Sequence, residues 1–267
     1  MERAKLKENA QKSLKGNYTP LVLGLLVFLA SAMFGNILDT LFETSYLTYL
    51  FSFVAEVLFM MGYINCAVKV SKGEKINVEN MFKFTHLGLK YLIISLVISL
   101  LLGILELLTV IAYTSLSTII SNIGNIGPLL YILLVVVGIL LIAGIIAFMI
   151  YLGISFSQVL FILNDKPDEK IGDILNESFD MMDGYRLEYF MLVVSFIGWI
   201  VLGIFTLGIL YLWLVPYMLV TFALFYEKVK ERYSYKQPLK EKIEEIKEEP
   251  KKVTKKKSTK KTTIKKQ

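Results

Sequence analysis

Two glutamates, Glu56 and Glu106, stand inside long apolar stretches, where a carboxyl is costly and marks a candidate functional position. With apolar segments placed at 46–68 and 87–113, Glu56 lies roughly 15 Å and Glu106 roughly 10 Å from the same, outer end of their helices, at about 1.5 Å per residue. If those helices are neighbours, the two carboxyls occupy similar depths. Asn36 in the preceding segment, Thr109, and Asp39 and Glu43 at the rim are placed to join them. Lys90 lies at the inner end of the second segment, and no Lys, Arg or His lies deeper in either segment to neutralise the charge. Two chemistries fit: protonated carboxyls acting as hydrogen-bond donors between helices, or a proton or cation site open to the outside.

Other chemistry finds no support. The chain has one Cys, Cys66, and one His, His86, which excludes an intrachain disulfide and any Cys/His zinc cluster. Asp173, Glu177 and Asp180 share a helical face but lack the convergent cage that a hard cation needs, so a solvated acidic face is expected and no metal. Ser71-Lys72-Gly73-Glu74-Lys75 is a turn without phosphate-loop spacing. There is no serine-nucleophile motif and no paired catalytic base. The expectation is a non-enzymatic protein with no catalytic residue and no cofactor.

The elements that must position Glu56 and Glu106 are membrane helices. Of 267 residues, 55% are hydrophobic, too many for an ordinary soluble domain. The pattern predicts an all-α polytopic bundle with spans near 19–41, 46–68, 87–113, 128–152, 187–206 and 209–228. Ala30-Ser31-Ala32 after Leu21–Leu29 imitates a signal-peptide cleavage site, but apolar residues continue to Leu38, so the first segment reads as a retained span. The apolar run from Pro128 to Leu163 is too long for one straight crossing, and a break is expected near Gly153.

All 29 Lys and Arg residues fall on one side of this plan. Cationic loops resist translocation, so both termini are assigned to the cytoplasm. Residues 1–18 read as a basic amphipathic segment with Leu6, Ala10 and Leu14 on one face, suited to lie on an anionic leaflet. Residues 164–186 read as an acidic amphipathic helix that docks on protein. The integral domain spans 19–230. Residues 231–267 read as a disordered Lys-rich cytoplasmic tail, whose partner is anionic inner-leaflet lipid and not a specific nucleic acid, since no aromatic residue beyond Tyr235 offers a stacking surface.

Leu14-Lys15-Gly16-Asn17-Tyr18 resembles the opening of a bacterial membrane family catalogued as domain of unknown function 975. The second half is similar to the same family through Ser178 … Met182-Asp183-Gly184-Tyr185 and Ser195-Phe196-Ile197-Gly198-Trp199. It continues through Thr206-Leu207-Gly208-Ile209, Leu212-Trp213-Leu214, Pro216-Tyr217 and Phe225-Tyr226. The resemblance implies a multi-pass plasma-membrane protein and no catalytic residue. Physically, Gly198, Gly203 and Gly208 suit close approach of the last two spans. Trp199, Trp213 and Tyr217 are suited to fill the adjoining grooves, and Pro216 to kink the last span. A hinge or cleft at Pro216, lined by Ser195, Tyr217 and Thr221, is the functional alternative.

The leading expectation is an envelope-organising membrane protein that binds lipid or cytoplasmic-face partners. The alternative is a transporter or channel using Glu56 and Glu106. Thirteen of the 29 cations lie in residues 236–267, leaving sixteen to orient the body. Deleting residues 236–267 is therefore expected to leave the topology unchanged, as read by reporter fusions at the remaining loops; an inverted truncated protein would refute the assignment.

Overall fold

The computed structural model describes residues 2–42, 45–81, 88–122 and 128–235. His86 and the tail beyond Tyr235 lie outside the described residues, as do the side chains of Asn36, Asp39 and Glu43. The chain divides into two units, 1–225 and 226–267, with the last helix running through the boundary. Among the described residues the structure is helical, with no strand.

Helix α1 (Arg3–Leu14) precedes α2 (Tyr18–Phe42) and α3 (Ser45–Ser71), a short 3-10 helix η1 (Val78–Met81) follows, and α4 (Gly88–Asn122) and α5 (Pro128–Ser155) form the next pair. Then come α6 (Val159–Asp165), α7 (Ile171–Met181), α8 (Arg186–Val194), α9 (Ile197–Phe205) and α10 (Tyr211–Tyr235). Five runs are long and apolar enough to cross a membrane: Ser52–Ser71, Gly88–Ile119, Tyr131–Asp165, Arg186–Phe205 and Tyr211–Tyr235. Helix α1 and the start of α2, Tyr18–Ser31, form a sixth candidate bent by 88°. This is a polytopic membrane bundle of five to six spans.

That bend follows from the sequence. Lys15 is extended at φ −60°, ψ 119°, Gly16 has φ 84°, and the Asn17 amide donates to the Leu14 carbonyl at 2.9 Å. This is a type II turn, whose third residue needs positive φ and so favours glycine. Helix α1 therefore runs across the foot of α2. Its Leu6, Ala10 and Leu14 are fully buried within the protein, not free to enter a leaflet. The apolar stripe that suggested lipid is consumed by packing.

The break in the fourth apolar run falls at Phe156–Gln158, just beyond Gly153. A Cβ on Gly153 would meet nothing within 4 Å, whereas Ser155 and Gln158 are buried and engage neighbouring groups. Beyond the break, Val159, Phe161, Ile162 and Leu163 of α6 bury against protein, with α3 and α7 as neighbours. Helix α10 continues without interruption through Pro216.

The loop after α3 does not stay outside the bundle. It carries η1 between α2 and α3, where Met81 is 1% exposed. A Cβ on Gly62 would lie 1.9 Å from the Met81 carbonyl oxygen, and one on Gly24 would lie 2.0 Å from its sulfur. Two glycines thus form a notch that holds one methionine. The surfaces of α4 and α5 differ: most of their apolar side chains are exposed.

Gly62→Ala forces a methyl group into backbone and is expected to destabilise the fold by about 1–3 kcal/mol, the usual cost of overpacking. Gly198→Ala, where nothing lies within 4 Å, serves as the matched control. Thermal unfolding in detergent compares them, and equal melting temperatures would disprove the notch.

Candidate functional site

Glu56 lies near the middle of α3 and Glu106 midway along α4, and both are exposed on the surface. Neither makes a hydrogen bond or ion pair with a described residue. Helix α4 extends to Asn122, nine residues past the expected end at Tyr113, which moves Glu106 from near one rim to mid-helix. Thr109 donates its hydroxyl to the Leu105 carbonyl of its own helix at 2.9 Å.

The residues quoted around the last two spans separate. Tyr211 lays its ring over Gly203, 2.4 Å from where a Cβ would sit, and donates its hydroxyl to the Ile200 carbonyl at 2.8 Å. The turn there places Leu207 at φ 51° and Gly208 at φ 86°, and the Gly208 amide reaches the Gly203 carbonyl at 3.0 Å. This is a Schellman closure with a leucine in the left-handed position, where a Cβ is strained. Gly198 faces open space, and Trp199 and Trp213 are about half exposed, at 50% and 47%. Pro216 is buried. Tyr217 packs edge-on against Phe196 at 5.4 Å. The hydroxyls of Ser195 and Thr221 donate to carbonyls of Leu192 and Tyr217, one turn back.

The densest polar chemistry lies instead where α5 ends. Ser178 of α7 donates to the Ser155 carbonyl at 2.8 Å, and Arg186 Nε donates to Ser155 Oγ at 2.9 Å. Arg186 also donates to Asp183 Oδ1 at 2.9 Å and to the Phe179 carbonyl at 3.1 Å. Its guanidinium stacks 4.9 Å from the Tyr151 ring and 4.7 Å from Phe179, which suits a planar, weakly hydrated cation. Next to it, fully buried Gln158 donates to Ser157 Oγ at 2.8 Å, while its Oε1 has no partner. Every bond of Arg186 joins parts of the fold, so the arginine acts as a bolt between α5, α7 and α8.

Two similar clamps surround it. Asn17 accepts the Ile76 amide at 3.1 Å and donates to the carbonyls of Ser13 and Glu74, each at 3.2 Å. Lys7 donates to the Ser195 carbonyl at 2.9 Å and sits 3.9 Å over the Phe196 ring, at the interruption between α8 and α9. Burial, then the nearby Arg3 charge, pulls the Lys7 ammonium below the ordinary lysine range. Farther out, Lys166 bonds both oxygens of Glu177 at 2.8 and 2.7 Å. Burial opposes its charge, but Glu177 and then Glu169 outweigh burial and hold Lys166 above its ordinary value. Its stabilising contribution is therefore present at neutral pH and lost only as pH rises through that raised value.

These clamps explain the residues that carried the family resemblance. Gly16-Asn17 makes the α1–α2 turn. Met182-Asp183-Gly184-Tyr185 makes the α7–α8 turn, with Gly184 at φ 80° and the Tyr185 amide on the Met182 carbonyl at 3.0 Å. The family described as protein of unknown function, DUF975, matches residues 1–233. The chain belongs to this family. No curated protein and no solved structure matches it. In this DUF975 protein Gly16-Asn17 and Met182–Tyr185 close turns, and Ser178 joins α7 to the end of α5. Among the described residues, no group of three or more His, Cys, Asp or Glu is placed to hold a metal ion.

Sequence reasoning quoted Asn17 and Ser178 but assigned them no contact, and it passed over Gln158 and Arg186. Ser155, Ser157 and Gln158 were a visible polar interruption in an apolar run. Arg186→Met is expected to cost about 1–3 kcal/mol, because it removes a charge-assisted network from a half-buried site. Arg186→Lys should recover less than half of that loss, since an ammonium cannot reproduce the planar fork or the stacking. Thermal unfolding of the two variants checks both statements.

Proposed function

We infer that this DUF975 protein is a plasma-membrane protein with both termini in the cytoplasm, acting by binding lipid or partner proteins and not by catalysing a reaction. The supporting observation is the position of its intramembrane carboxyls: Glu56 and Glu106 lie exposed on helix surfaces, while Arg186, Asn17 and Lys7 are committed to bonds within the fold. A transport path built on both glutamates would need them to line a common interior. The orientation rests on charge, since Lys69 and Lys72, Lys90, Lys166 and Arg186 fall at or just beyond the ends of apolar helices that the plan assigns to one side. The Lys-rich segment 236–267 is assigned to anionic inner-leaflet lipid, each nearby Lys contributing about 1 kcal/mol.

Proteoliposomes provide the test. Wild type, Glu56→Gln and Glu106→Gln are each expected to leave proton and alkali-cation flux at the protein-free rate. Flux that either substitution lowers would replace this reading with transport through the two carboxyls.

A further inference from the structure

Length and apolarity make Arg186–Phe205 and Tyr211–Tyr235 candidate spans, but helix α1 fixes the level at which they meet the membrane. Arg3 donates to the Met191 carbonyl at 3.3 Å, and Lys7 to the Ser195 carbonyl at 2.9 Å. Helix α1 is bent by 88° from the start of α2, so beside a spanning α2 it lies close to the membrane plane. Its outward face carries the ion pairs Lys5–Glu2 and Lys12–Glu8, whose side chains are between 60% and 69% exposed. Pairs so exposed are costly in hydrocarbon and belong among headgroups. At the end of α1, Asn17 bonds the loop at Glu74 and Ile76, where Lys75 is exposed. Both ends of α1 therefore mark the headgroup level, and its cations hold Met191–Phe196 near that level.

Little helix remains beyond it. Helix α9 has nine residues, or about 14 Å at 1.5 Å per residue, against about 30 Å of hydrocarbon. The chain is back at the same level by Tyr217, whose ring meets Phe196 at 5.4 Å. Between these points Phe205 is 79% and Leu207 93% exposed, and the turn 206–210 carries no charged residue. Every backbone N–H from Thr206 to Leu214 is nevertheless donated within the tip. The Leu210 amide goes to Thr206 Oγ1 at 3.2 Å, and the Thr206 hydroxyl donates to the Gly203 carbonyl at 2.9 Å. An aqueous loop has water for such groups, whereas a turn inside hydrocarbon must satisfy them itself. Trp199 and Trp213, about half exposed, stand one turn inside the Lys7 contact on the two legs, a level that indole favours.

We propose that α9, the turn and the first two turns of α10 form a re-entrant wedge that enters one leaflet and turns back near the bilayer centre. Its partner is the acyl chains of the leaflet on the side of the α3–α4 loop. This deepens the lipid-binding reading and rests on its orientation only for calling that leaflet the inner one. The apolar tip reaches about as deep as one leaflet of hydrocarbon, while α1 lies over the headgroups of the same leaflet. The chain enters and leaves on one side, so the wedge keeps α8 and the end of α10 on that side.

The experiment uses the full chain in cells and in lipid vesicles, with single cysteines placed in a Cys66→Ala background. Lys75→Cys, just beyond α3, and Ser121→Cys, at the end of α4, are both exposed and should react with a membrane-impermeant maleimide from opposite sides. Leu207→Cys is expected to react from neither side, and to react fully once the protein is denatured in detergent. A fluorophore on Leu207→Cys should be quenched most by lipid brominated near the end of its acyl chains. The native Trp199 and Trp213 should be quenched most by lipid brominated close to the headgroup. Reaction of Leu207→Cys from the Ser121 side would show a hairpin that crosses, and reaction from the Lys75 side a hairpin in water. Either result overturns the proposal, as does a Leu207 fluorophore quenched best by shallow bromine. Reaction of Lys75→Cys from outside intact cells would instead reverse the proposed orientation and leave the wedge standing in the other leaflet.

Discussion

A backbone interrupted inside a bilayer must find its hydrogen-bond partners within the protein, because lipid offers none. The architecture of this chain follows from that constraint. At the α8–α9 interruption, the Ser195 carbonyl receives Lys7 from the opposite end of the sequence. At the α5–α6 interruption, Ser178 donates to the Ser155 carbonyl and Arg186 holds the Ser155 hydroxyl. Tyr91 donates to the Leu160 carbonyl in α6, and Tyr211 to Ile200 in α9. The α5–α6 and α8–α9 interruptions are each closed by a side chain from a distant element, so they tie the helices together.

This arrangement divides the body into two regions of different character. Around α1, the latter part of α3, α6 and α7, side chains bury fully against protein: Leu6, Leu14, Tyr63, Ile64, Ile162 and Met181 are each at most 2% exposed. Along α4 and α5 most apolar side chains face outward. Apolar burial drives helix association in water but not in hydrocarbon, so the two regions depend on different forces. The first relies on close packing and polar clamps. The second relies on whatever lies beside it in the membrane.

The basic helix α1 shows how position changes the meaning of a pattern. Leu6, Ala10 and Leu14, with cations between them, describe equally well a helix resting on lipid and a helix packed on protein. The decision came from Gly16 and Asn17, which turn the chain by 88° and pin that turn to the loop at Glu74–Ile76. Met81 is a similar case. Nothing in Val78-Glu79-Asn80-Met81 distinguishes a surface loop from one that enters the bundle, until Gly24 and Gly62 are known to face each other across it.

The sequence by itself determined the helical class, a polytopic bundle of five to six membrane segments, and the family. Those properties depend on local quantities: runs of apolar residues, the distribution of charge, and short motifs. It also marked Glu56 and Glu106 as unusual, because a carboxyl in an apolar run is unusual whatever surrounds it. Only the tertiary structure decided where these groups point and what closes each break. Helix periodicity says which residues share a face, but not which face meets protein and which meets lipid when both are apolar. Asn17 with Ile76, Ser155 with Arg186, and Lys7 with Ser195 are separated by long stretches of chain, and a one-dimensional pattern carries no term for such a meeting.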